Sequence, residues 1–147
     1  MTQPLEILLV EDNEGDVEMV RAALEDQLPS CNVSVAKDGR EALDYLFNHG
    51  NFQNAVAPQL ILLDLNMSGM DGKILLKIIK QDEQVNTIPV VVLTSSRAPS
   101  DIREAYAHHA NCYVVKPFDS KDFKSAIRQV VDFWRNLVQL PHEAATL

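Results

Sequence analysis

Four short apolar runs in this chain each end in a residue able to do chemistry. ILLV (residues 7–10) runs into Glu11 and Asp12, LILL (60–63) into Asp64, VVVL (90–93) into Thr94, and CYVV (112–115) into Lys116. Three carboxylates brought to one spot repel one another, which raises at least one pKa or calls for a cation. Carboxylates with a backbone carbonyl and waters suit Mg²⁺, which prefers octahedral oxygen ligands. Lys116 offers a positive charge to phosphate oxygens, and Thr94 offers a hydroxyl donor. Asp64 is a candidate nucleophile of the kind that forms an aspartyl phosphate. Phosphoryl transfer asks a protein mainly for positioning and charge neutralisation. Each residue alone has an ordinary reading: Asp64 as a turn cap, Thr94-Ser95-Ser96 as a cap ahead of Pro99, Tyr113 as a half-buried strand residue. Together, at successive strand ends, they describe one polar pocket.

Other chemistries fit less well. No GxxxxGK[ST] loop is present, and GMDG (69–72) is too short and wrongly placed for a dinucleotide fingerprint. His108-His109 is an adjacent pair, which does not share a helix face, and no His or Cys spacing suits zinc. An aspartate-based hydrolase would need a further general base and a substrate cap, and no segment is large enough for a cap.

The elements that must position these residues alternate strictly. Strands are predicted at Leu5–Val10, 32–36, Leu60–Leu63, 89–93 and 111–115. Helices are predicted over 14–27, closed by Pro29, and over 40–48, capped by Asp38. Three more follow over 72–81, over 99–108 with Pro99 in the first turn, and over 118–140, stopped by Pro141. Their inward sets are Val17, Val20, Ala23 and Leu24; Ala42, Leu43, Leu46 and Phe47; Ile74, Leu75, Ile78 and Ile79; and Phe123, Ile127, Val130, Val131, Trp134, Leu137 and Val138. Residues 49–58 read as a long loop, and 141–147 as a frayed tail. Strands apolar on every residue belong in a parallel sheet covered on both faces. The alternation predicts a single three-layer α/β domain, with its core at about 5–138 and right-handed crossovers. Such folds bind at the carboxyl ends of their strands.

The 147 residues suit one domain with a full core. The net charge of −8 argues against nucleic acid or an anionic membrane as the main partner. The amino terminus has no basic region and no signal-length apolar run, and no stretch approaches a membrane span. The two cysteines, Cys31 in a loop by Pro29 and Cys112 facing the core, form no metal or disulfide pattern, which predicts a reducing, cytoplasmic setting.

The set Glu11-Asp12, Asp64, Thr94 and Lys116-Pro117 resembles the receiver domain of bacterial two-component response regulators. The motifs are LVEDN, LLDLNMSGMDG, IPVVVLTS and KPF. Thr94 follows Asp64 by 30 residues, and Lys116 follows Thr94 by 22. The resemblance covers residues 5–138. It implies a flavodoxin-like (βα)5 fold with strand order 2-1-3-4-5, and phosphorylation of Asp64 by a histidine kinase with Mg²⁺. Asp12, Asp64 and the Asn66 carbonyl would ligate the ion, and Glu11 would support it through water. Lys116 and Thr94 would bind the phosphoryl group, with Ser95 leaving it access. Tyr113 would be the aromatic switch, turning from exposed to buried. A cis bond before Pro117 would place Lys116. Asn66 and Ser96 would tune hydrolysis. The family usually has proline at Ser68 or a neighbour, which is missing here. The resemblance implies no enzyme in the ordinary sense, only catalysis of its own phosphorylation and slow dephosphorylation.

Residues 49–58, TSSRAPSDI, HHANCYVVKP and DFWRNLVQLP further resemble the stand-alone receivers that serve bacterial and cyanobacterial phytochromes. That likeness implies a light-sensing histidine kinase as donor and a signal passed by contact or further phosphotransfer to a downstream protein. The alternatives are a single-domain receiver fed by a kinase that does not sense light, and a receiver-like binding module that is not phosphorylated. Family habit implies a homodimer through the fourth helix, fifth strand and fifth helix, with Phe133, Trp134 and Leu140 near it.

Overall fold

Apolar residues on both faces of the strands build two cores. The computed structural model describes residues 3–27 and 30–141. Its strands are β1 (Leu5–Val10), β2 (Cys31–Ala36), β3 (Leu60–Leu63), β4 (Val90–Thr94) and β5 (Cys112–Val115). All pair in parallel, in the order β2-β1-β3-β4-β5. The helices are α1 (Glu14–Leu24), α2 (Gly39–Leu46), α3 (Gly72–Gln81), α4 (Pro99–Ala107) and α5 (Ser120–Asp132). Successive strand residues face opposite ways. Leu8, Val10, Ile61, Leu63, Val90 and Val92 pack with residues of α2, α3 and α4, including Ala42, Leu75, Leu76, Ile79 and Ala105. Ile7, Leu9, Leu60, Leu62, Val91 and Leu93 pack with Val20, Ala23 and Leu24 of α1 and Phe123, Ile127 and Val131 of α5. Strand order reverses between β1 and β3, so their carboxyl ends flank the crevice where doubly wound sheets bind ligands.

The structure departs from the sequence expectations at several points. Cys31 is not in a loop but opens β2, fully buried, opposite Leu5. The first helix gives way to a 3₁₀ turn over Glu25–Gln27, and Pro29 lies outside the described residues. Ile74 is exposed, and Leu76 takes the inward place beside Leu75 and Ile79. This helix is apolar on two stripes, and the i, i+3, i+4, i+7 set starting at Gly72 faces the sheet. Phe118 precedes the last helix and is exposed. That helix widens over Phe133–Leu137 into a π turn, closed by the Val138 N–H donating to the Phe133 carbonyl at 3.1 Å. It ends at Leu137 rather than Leu140, and Leu137 is exposed, not inward. A proline at 141 cannot donate to the 137 carbonyl and would clash with it, so the helix stops ahead of it. The tail beyond Pro141 lies outside the described residues.

Gly72 shows how tightly α3 meets β3. A Cβ there would lie 2.4 Å from the Asp64 carbonyl oxygen and 2.6 Å from the Leu65 Cα. Only glycine allows the first turn of α3 to approach the backbone carrying Asp64 this closely.

Candidate phosphoacceptor site

Backbone pairing brings the predicted residues to one edge. The Glu11 N–H donates to the Ala36 carbonyl, and the Asp64 N–H to the Val10 carbonyl, which sets Asp64 beside Glu11. Thr94 pairs with Val115, and the Lys116 N–H donates to the Thr94 carbonyl at 2.8 Å. Glu11, Asp64 and Thr94 are buried, at 2%, 6% and 0% exposure, while Asp12 faces solvent.

Lys116 is the centre of the charge arrangement. Its Nζ donates to Glu11 Oε1 at 2.5 Å, to Asp16 Oδ2 at 2.7 Å and to Asp64 Oδ2 at 3.1 Å. An ammonium carries three donors, and each meets a carboxylate. Burial favours the neutral amine, but the bonds to Asp16 and Glu11 outweigh it and hold the Lys116 pKa above its ordinary value. Glu11 moves the other way. Burial lifts its carboxyl from the ordinary 4.5 to about 7, opposed by the bond to Lys116 and helped by its contact with Asp64. The pocket thus holds more acid than its lysine can balance.

Glu11 is therefore more than a water-mediated support: it is a direct partner of Lys116. Its second oxygen, Oε2, accepts from the Asn13 N–H at 3.2 Å. Asp12 Oδ2 accepts from the Ser68 N–H at 3.0 Å and the Ser68 hydroxyl at 3.3 Å. The missing proline matters here, because proline at 68 would lack that N–H. Asp64 Oδ1 accepts from the Asn66 N–H at 3.1 Å, and the Asn66 side-chain amide donates to Thr94 Oγ1 at 3.3 Å. Carboxylate oxygens of Glu11, Asp12 and Asp64 lie within 4.8 Å of one another. This oxygen-only set, excess negative charge and open side at Asp12 fit a hard divalent ion that keeps part of its water.

A second network leaves the pocket through Ser96. Its hydroxyl donates to Asp101 Oδ2 at 2.5 Å, and its carbonyl accepts from the Tyr113 hydroxyl at 3.0 Å. Lys73 Nζ bridges Asp101 at 2.6 Å and Glu104 at 3.2 Å, tying α3 to α4. Tyr113 is half-buried, its phenol held above the ordinary pKa mainly by burial. Ser95 is exposed, and Pro117 is half-buried just after β5. Of the three expected interface residues, Trp134 and Leu140 pack against the α1/α5 core, while Phe133 is exposed. Phe133 meets Trp134 edge to face at 5.4 Å.

Sequence reasoning missed Asp16, the bond of the Asn66 amide to Thr94, the Ser68 side chain, and the Lys73–Asp101 link. Asp16 carried a signal: it sits in the first turn of a helix that starts directly from the acidic strand end.

With this geometry in view, the chain belongs to the response regulator receiver domain family, whose profile matches residues 7–128. It is 38% identical over 138 residues to response regulator Rcp1 of Synechocystis sp., spanning 94% of each chain. It is similar to the crystal structure of the phosphorylated cyanobacterial phytochrome response regulator RcpA, with a TM-score of 0.91 and 37% identity over 95% of this chain and 99% of that one. The Mn²⁺-bound form of Rcp1 gives a TM-score of 0.89 at 37% identity over 95% of this chain and 100% of that one. The five-stranded parallel sheet in the order 2-1-3-4-5, covered by five helices, is the flavodoxin-like receiver fold. No described helix is long and apolar enough to cross a membrane.

Proposed function

We propose that the protein is a phosphorylation switch that receives a phosphoryl group on Asp64 from a histidine kinase of the phytochrome type. One observation carries this reading: the Asp64 carboxylate stands 3.1 Å from a largely buried lysine, its side chain 9% exposed, and inside a cluster of acids that fits a divalent ion. An Asp64 oxygen attacks the phosphorus of a phosphohistidine. The new O–P bond forms as the N–P bond breaks, and the imidazole leaves with the electron pair and takes up a proton from solvent. A Mg²⁺ held by Glu11, Asp12, Asp64 and the Asn66 carbonyl would neutralise charge on the transferring oxygens. Glu11 and Lys116 share a short ion pair that keeps the lysine charged at the site.

The product carries more negative charge than the carboxylate it replaces. Lys116 follows that charge, and Thr94 exchanges its bond from Asn66 for one donated to a phosphoryl oxygen. Because Ser96 and Tyr113 lie just beyond Thr94, the change reaches the surface of α4, β5 and α5. Contacts made only by the phosphorylated form shift a pre-existing equilibrium. On this reading the protein acts in the cytoplasm and pairs as a homodimer through that surface, to which Phe133, Tyr106 and Leu137 offer exposed apolar groups. The similarity to the cyanobacterial phytochrome response regulator RcpA supports the choice of donor.

The test is a transfer profile against purified histidine kinases, with and without light. The expected result is fastest loading from a phytochrome-type kinase and none in Asp64→Asn. Preference for a kinase indifferent to light would overturn the donor and leave the acceptor standing.

A further inference from the structure

Among the described residues, Asp16 is the one acid paired with Lys116 that stands outside the Glu11, Asp12 and Asp64 trio. At the third position of a helix an acid commonly serves its own helix start, bonding the cap residue's N–H or facing the dipole. Here the cap is satisfied without it. The Asn13 side chain accepts from the Asp16 N–H at 2.9 Å, and the Asn13 N–H donates to Glu11. The Asp16 carboxylate instead reaches across 100 residues of sequence to Lys116 Nζ at 2.7 Å, closer than Asp64 at 3.1 Å.

All three Lys116 donors are thus taken before any phosphoryl group arrives. Two go to Glu11 and Asp64, which face the cluster. The third draws the ammonium toward the first turn of α1. A phosphoryl group on Asp64 can gain full pairing with Lys116 only as the ammonium loosens its hold on another partner. Glu11 is the most buried of the three and the shortest contact. Asp16 is the most exposed, with its side chain 21% accessible, so water can replace the lysine there at the least expense.

We infer that Asp16 is a positioning residue that holds Lys116 in the resting state and competes with the phosphoryl group for it. This rests on the reading of Asp64 as the acceptor. Asp16 sets how strongly the phosphorylated arrangement is favoured, without touching the phosphoryl group. Asp16→Asn keeps the shape and an acceptor oxygen but removes the charge that competes.

The experiment measures binding of fluoroberyllate, a mimic of a phosphoryl group on a carboxylate, to the Mg²⁺-loaded protein. Asp16→Asn is expected to tighten it by about five-fold, the order of one charge-assisted hydrogen bond partly screened by solvent. Glu14→Gln removes an equal charge from the same helical turn and is expected to leave binding within about two-fold. In a Lys116→Met background the Asp16→Asn effect is expected to vanish, since a coupling disappears with either partner. Unchanged or weaker binding in Asp16→Asn, an equal gain in Glu14→Gln, or a gain that survives without Lys116 would overturn the inference. A separate reading comes from the metal-free protein, where the ¹⁵N signal of the Lys116 ammonium is expected to move in Asp16→Asn and not in Glu14→Gln. An unmoved signal also overturns it. If fluoroberyllate fails to bind the native protein, or binds Asp64→Asn equally well, the acceptor reading has failed, and the ammonium signal still decides the role of Asp16.

Discussion

Two lysines in this protein each bridge acids from distant parts of the chain, and they differ in almost everything else. Lys116 lies in the sheet-edge pocket against Glu11, Asp16 and Asp64, with its side chain 9% exposed. Lys73 lies on the surface between α3 and α4, against Asp101 and Glu104, with its side chain 29% exposed. Burial raises the stakes for the first cluster. Its acids are desolvated and outnumber the cation, so removing or adding one charge changes the balance strongly. Water screens the second, where an ion pair is worth little by itself. The surface cluster matters through what it holds, because Asp101 also accepts from Ser96, whose carbonyl holds Tyr113. The difference separates a place where chemistry can start from a place that can bias its outcome.

The largest expected effect comes from emptying the first cluster of its cation. Lys116→Met should destabilise the metal-free protein by about 3 kcal/mol, because the buried acids lose their partner. Urea unfolding measures it, and a loss no larger than that of Lys73→Met would break the contrast between the clusters. Next comes the backbone under Asp64. Gly72→Ala should cost about 2 kcal/mol, because the atoms a Cβ would strike are main chain and have no rotamer to move to. Chemical shifts of Asp64 and Leu65 should move with it, while those of Lys73 and Asp101 move less.

The clusters should also respond to pH with opposite signs. The Glu11 pKa is raised in the folded state from 4.5 to about 7. The folded protein therefore holds more protons between those values, and metal-free stability falls as pH rises from about 4.5 to about 7, then levels. Asp101 has the reverse shift, its pKa lowered from the ordinary 3.8 by Lys73 and then by Ser96. Its contribution is full above that value and is lost as pH falls through its folded pKa. Glu11→Gln should remove the first slope and leave the second. Mg²⁺ should flatten the first slope by favouring the ionised acids. The smallest effect is that of Lys73→Met. It should destabilise by less than about 1 kcal/mol, yet shift the Tyr113 ring signals because Asp101 and Ser96 lose an anchor. Unmoved Tyr113 signals would separate the surface cluster from the switch.

What the sequence made legible, and what it hid, follows the same division. The strands of this sheet are apolar on nearly every residue because helices cover both faces, so their ends, and the pocket at those ends, could be read from the chain. Ile74 was expected inward and is exposed, because α3 is apolar on more than one stripe and the close approach at Gly72 chooses the stripe. The end of the last helix was misplaced by three residues, because proline acts on the turn before it. The place of Asp16, one turn past the acidic strand end, was visible, but its pairing with Lys116, like that of Lys73 with Asp101, depends on how crossovers lay helices beside strands. Ser68 is instructive in another way. The missing family proline was visible in sequence, but its N–H became meaningful only with Asp12 beside it.

The central claim is that Asp64, among its acids and beside Lys116, accepts the phosphoryl group. The most direct measurement treats the Mg²⁺-loaded protein with a small phosphoryl donor such as acetyl phosphate, and maps the modified residue by mass spectrometry after borohydride trapping of the acyl phosphate. The account predicts one phosphoryl group, on the peptide containing Asp64, lost on chelating the metal and lost in Asp64→Asn. Phosphorylation that persists in Asp64→Asn, or a native protein that takes up none, would contradict it.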